Sequence, residues 1–285
     1  MAQRVGDILR QARARLAGAS ETPDLDAELL LGHVLGVARV ALRAVPEREL
    51  DPAAASRFEA LLARRAAGEP LAYLTGRKGF WTLELDVDAA VLVPRPETEL
   101  LVEAAVGGLR SRPAPRVLDL GTGSGAVALA IAAELPAAEV VGVDSSAAAI
   151  RLARRNAAAA GLDRVRFLPG HWYEPLAGRR FHCIVANPPY LAEDDPHLQD
   201  LAHEPVAALV AGPTGLEALA EIIDGAGAHL EPGGTLLLEH APDQGGAVRA
   251  RCTAAGLEAA HTLTDLAGLE RVTLARGPAA RRPQG

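Results

Sequence analysis

The chain has 285 residues, 49% of them hydrophobic and 23% charged, with a formal net charge of −7. That length suits one large domain, or a medium domain with a small one beside it, and the composition excludes wholesale disorder. Apolar runs are short and broken by charge or glycine, too short for a membrane-crossing helix, and the chain shows no basic face of the kind a nucleic-acid binder carries.

Residues 1–70 hold 10 basic and 10 acidic side chains, so the rest of the chain carries the whole net charge. The opening MAQRVGDILRQARARL lacks a secretory apolar core and reads as an amphipathic helix. Helical spacing recurs through Val5, Ile8, Leu9 and Leu16, then Leu25, Leu29, Leu30, Val34 and Leu35, then Phe58, Leu61 and Leu62. Asp24 and Asp51 are candidate helix caps, and Pro46 and Gly68 punctuate the ends. We expect a small helical bundle over 1–70 with no catalytic constellation of its own.

Residues 71–95 contain GFWTLELDVDAAVLVP, whose alternation predicts a β-hairpin linker. Pro94 and Pro96 stop it, and Glu97 and Thr98 start a helix to about Leu109. From 96 to 276 strand and helix alternate. Strands are expected at Arg116–Leu120, Glu139–Asp144, Val165–Pro169, Phe181–Asn187, Gly234–His240, Leu257–Asp265 and Arg271–Arg276. Helices are expected at Ala126–Glu134, Ala147–Ala160, Leu216–Ala228 and Gln244–Ala255. This predicts an α/β domain with a mostly parallel seven-stranded sheet, its ligand beyond the carboxyl ends of the strands. The tail 277–285 is expected to be disordered. Cys183 and Cys252 lie far apart in apolar surroundings, which suggests core residues in a reducing cytoplasm, and the histidines show no metal-ligand spacing.

Two motifs carry chemistry. Val117-Leu118-Asp119-Leu120 runs into Gly121-Thr122-Gly123-Ser124-Gly125 and then a helix. The glycines allow a tight turn and close approach of a ligand to backbone. Gly121, Gly123 and Ala126 also meet the dinucleotide spacing, and a turn with no ligand is the bland alternative. Asp119 favours S-adenosylmethionine, because a carboxylate at the strand end repels a pyrophosphate and welcomes an ammonium. The third glycine, two residues after the second, points the same way. Asp144 ends the next strand, where it can accept hydrogen bonds from ribose hydroxyls or cap the helix that follows.

The second motif, Asn187-Pro188-Pro189-Tyr190, follows the apolar strand Cys183–Ala186. Consecutive prolines fix the backbone around the Asn187 side chain. An amide nitrogen is a poor nucleophile because its lone pair is delocalised. The Asn187 oxygen and the Pro188 carbonyl can grip the two hydrogens of such an NH2 group and aim its lone pair, while Tyr190 packs on the planar group. An ordinary strand-ending turn is the alternative. The sequence offers no evident general base, and the proton is expected to pass to water.

Together these motifs resemble methyltransferases acting on amide or exocyclic amino nitrogens. Pro70–Gly76, Gly79-Phe80-Trp81, Val93–Glu99, Glu204-Pro205, Glu231–Gly234, Glu239-His240 and Glu270-Arg271-Val272 narrow the resemblance to the release factor glutamine methyltransferases, across essentially the whole chain. The resemblance implies a class I, Rossmann-like fold and methyl transfer from S-adenosylmethionine to the glutamine of the Gly-Gly-Gln motif of peptide chain release factors. It implies cofactor contacts from Asp119, Gly121, Thr122, Gly123, Gly125, Asp144, His171, Trp172 and Asn187. It implies substrate contacts from Asn187, Pro188, Pro189 and Tyr190, with Asn187, Pro188 and Tyr190 catalytic. The helical region would help hold the release factor, and a cytoplasmic monomer without metal is expected.

Two departures stand out. The family usually carries Asp-Trp where this chain has His171-Trp172, and the stretch Gln199–His203 looks shortened. The rival substrates are a ribosomal protein and the adenine of DNA. Glu193-Asp194-Asp195, just after the Asn187–Tyr190 turn, oppose a phosphate backbone. A non-catalytic binding module is opposed by the intact glycine loop and Asn187.

Overall fold

The computed structural model describes residues 4–279, which divide into two compact units at Arg77/Lys78. The first is helical: α1 (Val5–Leu16), α2 (Pro23–Leu35), α3 (Arg39–Arg43), α4 (Pro52–Ala66) and α5 (Leu71–Thr75). Ile8, Leu16, Leu30, Leu31, Phe58 and Leu62 form its core. Asp51 caps α4, its side chain accepting the Ala53 and Ala54 amides at 3.0 and 2.9 Å and satisfying donors the helix leaves free. Asp24 does not cap α2. That helix starts at Pro23, and Asp24 sits exposed in the first turn, 3.4 Å from Arg13.

The inward face of α2 also differs from the periodicity. Leu25 and Leu29 are half-buried, while Asp26 and Glu28 are buried. Asp26 pairs with Arg65 and Glu28 with Arg43, each at 2.7 Å. Pairing is what lets a carboxylate leave water without a prohibitive desolvation loss. Hydrophobic spacing carries no trace of partners that are 39 and 15 residues away.

The boundary falls one residue into β1 (Arg77–Phe80), which forms a two-stranded ladder with β2 (Leu83–Asp86) at the start of the second unit. The expected hairpin is thus confined to these strands. Leu71–Thr75 is a helix instead, ended by Gly76 at φ 74°. A 3-10 turn at Pro96–Thr98 leads into α6 (Glu99–Leu109). Then follow β3 (Arg116–Leu120), α7 (Ala126–Glu134), β4 (Glu139–Asp144), α8 (Ala147–Ala159), β5 (Arg166–Pro169) and β6 (Phe181–Ala186). A short excursion carries β7 (Leu191–Ala192) and β8 (Val210–Gly212). The chain closes with α9 (Glu217–His229), β9 (Leu230–Glu239), α10 (Gly245–Ala254), β10 (Glu258–Thr264) and β11 (Glu270–Arg276).

Seven strands form one sheet in the order β10-β11-β9-β6-β3-β4-β5. β9, β6, β3, β4 and β5 run parallel, and β11 pairs antiparallel with both β9 and β10. The parallel strands read as continuous apolar runs because helices cover both faces. Along β3, Val117 faces a core with Leu101 of α6 and Leu129 of α7, while Leu118 and Leu120 face one with Leu219 and Ile222 of α9. β7 and β8 pair with each other in parallel, outside that sheet, and strands so short leave no periodicity to read.

Gly277 and Pro278, expected in the disordered tail, continue the β9–β11 pairing. The Gly277 amide donates to the Gly234 carbonyl at 2.8 Å and the Gly233 amide to the Pro278 carbonyl at 3.2 Å. The remainder of that tail, 280–285, lies outside the described residues.

Strand order reverses at β3 and β6, where ligands of open α/β sheets bind. Their register pairs Leu120 with Ala186, so Gly121 and Asn187 emerge side by side. The β6–β9 register pairs Ala186 with Leu238, which brings Asn187 beside Glu239.

Candidate active site

A cavity of about 420 Å³ opens at the carboxyl ends of β3, β4 and β6. The glycine loop forms its floor. Gly121 and Gly123 hold φ of 71° and 55°, a left-handed region open to glycine and strained for other residues. The Gly123 α-carbon faces open space, so nothing from the chain stands between it and a ligand. The Gly123 amide donates to Asp144 Oδ2 at 2.9 Å, and the Ser146 amide to Asp144 Oδ1 at 2.8 Å. Asp144 therefore pins the loop and borders the cavity. The cap of α8 is Ser146, whose hydroxyl oxygen accepts the Ala149 amide at 3.2 Å. Burial lifts the Asp144 carboxyl above its ordinary value.

Asp119 is buried at the end of β3. Its Oδ2 accepts the Thr122 hydroxyl at 2.6 Å and the Ala128 amide at 3.2 Å. Loss of water pushes its pKa up to about 7, against those two bonds and with the help of the Asp144 charge. Gly125 lies outside the cavity lining. It starts α7 at φ 84°, and a Cβ there would stand 3.2 Å from Ala153, Leu129 and Phe167, so its smallness serves helix–strand packing.

A second wall comes from the loop after β5. Trp172, at φ 41°, lays its ring 3.5 Å from the position a Gly121 Cβ would occupy. Its Nε1 donates to Glu221 Oε2 at 3.1 Å, and His171 Nε2 lies 2.9 Å from Glu221 Oε1. The His171-Trp172 pair is thus held by a carboxylate from α9. One turn earlier Glu217 also borders the cavity. Its Oε1 accepts the Thr214 amide at 2.9 Å and hydroxyl at 2.8 Å, and its Oε2 is buried without a partner.

The third wall holds the Asn-Pro-Pro-Tyr turn. Asn187 Nδ2 donates to Thr98 Oγ1 at 3.1 Å, and Asn187 Oδ1 is buried without a partner. Asn187, Pro189 and Thr98 border the cavity; Pro188 is buried behind them. Tyr190 packs into the core on the α9–α10 face, outside the lining, and burial pushes its phenol up to about 12. Its carbonyl accepts Gln244 Nε2 at 2.9 Å. Glu204 secures the rim: it accepts the Val93 amide at 3.0 Å and pairs with Arg95, tying the Pro94–Arg95 segment to the excursion between β7 and β8.

The structure brings Asp119, Gly121, Thr122, Gly123, Asp144, His171, Trp172, Asn187 and Pro189 to one cavity, and leaves Gly125, Pro188 and Tyr190 outside its lining. Sequence reasoning missed Glu217 and Glu221. Two acids one helical turn apart on a helix following the strand of the Asn187 motif were the available signal, and it is a common pattern on solvated faces. Asp119, Asp144, Glu217 and Glu221 surround the space, with an apolar ring and an unpartnered amide oxygen alongside. That set suits a cationic ligand bearing hydroxyls and amines. Its volume falls in the ordinary range for such ligands.

Residues 7–76 match the PrmC N-terminal domain family and residues 96–212 the methyltransferase small domain family. A release factor glutamine methyltransferase of Xylella fastidiosa (strain Temecula1) is 52% identical over 93% of this chain and 98% of its own length. One from Escherichia coli (strain K12) is 46% identical over 94% of this chain and 97% of its own. A Thermus thermophilus 16S rRNA methyltransferase, solved in complex with AdoMet and guanosine, superposes with a TM-score of 0.53 at 25% identity, covering 70% of this chain and 49% of that one. A methyltransferase from Pyrococcus furiosus shares the fold with a TM-score of 0.53 at 19% identity, covering 79% of this chain and 99% of that one. With relatives matching at nearly full length and a cavity that fits the cofactor, this chain belongs to the release factor glutamine methyltransferase family and is an S-adenosylmethionine-dependent methyltransferase.

Proposed function

We propose that this enzyme methylates the side-chain amide nitrogen of the glutamine in the Gly-Gly-Gln motif of peptide chain release factors. The observation that carries the reading is the unpartnered Asn187 Oδ1 beside the glycine loop. A buried carbonyl oxygen without a donor is unfavourable by about 1–3 kcal/mol, and an incoming NH2 group removes that penalty. When bound, S-adenosylmethionine supplies an electrophilic methyl group on a positively charged sulfur. Asn187 Oδ1 accepts one hydrogen of the glutamine NH2, and the Pro188 carbonyl, which lies just behind the lining, is placed by this reading to take the other. Holding both hydrogens in the amide plane turns the nitrogen lone pair toward the methyl group, which is catalysis by orientation and fixed dipoles. Methylation leaves the nitrogen positively charged, and one of its two protons then passes to water, giving the neutral secondary amide.

Asp144 and the Gly121–Gly125 loop hold the nucleoside end, Trp172 packs on its base, and the acidic lining balances the cofactor charge. The helical unit serves the protein substrate; it exposes Val40 and Val45. The test offers methyl-labelled S-adenosylmethionine with an intact release factor, the same factor with its Gly-Gly-Gln glutamine changed to alanine, or duplex DNA. Label on the intact factor alone is the expected result. Label on DNA or on the altered factor overturns the substrate assignment.

A further inference from the structure

Directly behind Asn187 lies a carboxyl group that the reaction as described does not use. Glu239 ends β9, is 2% exposed, and stands next to Asn187 through the β6–β9 register. On its other side β11 pairs Val272 with it. Thr98 and Asn187 lie close enough to its side chain to favour the ionised form, while its Oε2 is buried without a partner. An apolar residue or a glutamine would be cheaper to bury here than an acid. We propose that Glu239 is a positioning residue that fixes which way round the Asn187 carboxamide sits, so that the oxygen, and never the NH2, faces the reacting amide.

The logic is one of donors and acceptors. An ionised carboxylate only accepts. Thr98 has one hydroxyl proton, and giving it to Glu239 leaves the Thr98 oxygen to accept. Both neighbours of Asn187 on this side then demand a donor, and only the Nδ2 end supplies one. Nδ2 donates to Thr98 Oγ1 at 3.1 Å, and Oδ1 is left pointing the other way without a partner. A flipped Asn187 would set two acceptors against its oxygen and offer NH2 hydrogens to a substrate NH2, which has none to accept them.

Burial pushes the Glu239 carboxyl up to about 7. The groups acting on it are the hydroxyl of Thr98, the Arg271 guanidinium from β11, the Glu97 carboxylate from the 96–98 turn and the amide of Asn187. Glu239 in turn helps raise the phenol of Tyr190. Arg271 lowers it while also bonding Asp265 at 2.9 Å, and Glu97 raises it. Protonated Glu239 becomes a donor itself and releases the constraint on Thr98. The orientation is therefore held at alkaline pH and relaxes as the pH falls through about 7.

This inference rests on the role of the Asn187 oxygen given above, and its test separates the two. The chain contains only two asparagines, Asn156 and Asn187. Asn156 is an internal reference, since its Nδ2 donates to the Asp86 and Ser124 carbonyls and its Oδ1 accepts the Asp86 amide. Selective 15N-asparagine labelling of the full-length enzyme, without substrate and above about pH 8, should give two resolved NH2 proton pairs. Glu239→Gln, which keeps shape and loses the fixed polarity, should shift or collapse the Asn187 pair and spare that of Asn156. Thr98→Val should do the same and Thr98→Ser should restore it. In turnover with a release factor, Glu239→Gln should lower kcat on the order of 100-fold, the size seen when one preorganised group is lost, with KM and cofactor affinity within about threefold. An Asn187 pair unchanged in Glu239→Gln, or one that moves together with Asn156, overturns the proposal. Wild-type enzyme that shows the NMR pattern but labels no release factor leaves the positioning intact and overturns the substrate reading.

Discussion

The β3–β4 side of the cavity and the β6–β9 side handle buried polar atoms in opposite ways. On the first, Asp144 gives both oxygens to backbone amides, and Asp119 Oδ2 takes a hydroxyl and an amide. That wall is satisfied before any ligand arrives, so it recognises by shape and by charge already in place. On the second, Asn187 Oδ1 and Glu239 Oε2 are buried without partners. Asn187 borders the cavity, so the penalty its oxygen stores is one an incoming donor relieves, which directs binding energy to the reaction rather than to the resting state; Glu239 lies behind it. On the function proposed above, the first side holds the cofactor and the second receives the amide.

The sharpest way to break this contrast is Asn187→Ala. We expect turnover to fall on the order of 1000-fold while calorimetric affinity for S-adenosylmethionine changes by no more than about threefold. Equal losses in both would show that Asn187 serves the cofactor side. Asp144→Ala is the mirror experiment. Losing the clamp on Gly123 should weaken cofactor binding roughly 10- to 100-fold, and the loss in Kd should exceed the loss in kcat at saturating cofactor. If kcat falls more, the division between the sides is wrong.

Two smaller effects sharpen it. Gly125→Ala places a methyl group against Ala153, Leu129 and Phe167 at a left-handed φ, and should lower stability by about 1–3 kcal/mol in urea unfolding. A variant as stable as wild type would return Gly125 to a purely ligand-facing role. The last prediction concerns pH. Glu239 holds its proton to about 7 in the folded chain, against an ordinary 4.5 when unfolded. The folded state binds that proton more tightly, so the associated stability is full below the unfolded value and is lost as the pH rises through about 7. Glu239→Gln removes the titration. Its melting temperature relative to wild type should therefore rise by several degrees between about pH 5 and about pH 8. A difference that stays flat with pH would show that Glu239 is already ionised at low pH.

The strands and helices of the catalytic unit were legible because their patterns are local. Apolar runs such as Cys183–Ala186 and the Gly121–Gly125 turn name their own conformation through sterics and burial. Each of the two motifs follows an apolar strand of the same α/β domain, and that placement alone pointed to a shared site. The lining was less legible. Gly125 and Tyr190 belong to the same motifs as Gly123 and Asn187, yet one packs a helix on the sheet and the other fills the core, because adjacent residues on a turn face different ways. His171 looked out of place where the family has an acid. Its partner Glu221 sits on α9 and only the packing of that helix over the loop brings them to 2.9 Å.

Residue order alone was enough for the α/β alternation, the helical character of the first unit and the pairing of a glycine turn with an Asn-Pro-Pro-Tyr turn. These depend on periods of two or 3.6 residues and on backbone sterics, which act over a few neighbours. Register and helix docking settled the remainder: Asp26 and Glu28 inward on α2 against distant arginines, Glu221 beneath His171 and Trp172, and Glu239 beside Asn187. A buried charge is tolerable only with its partner, and the partner is chosen by how strands pair and helices pack, contacts that no local period encodes.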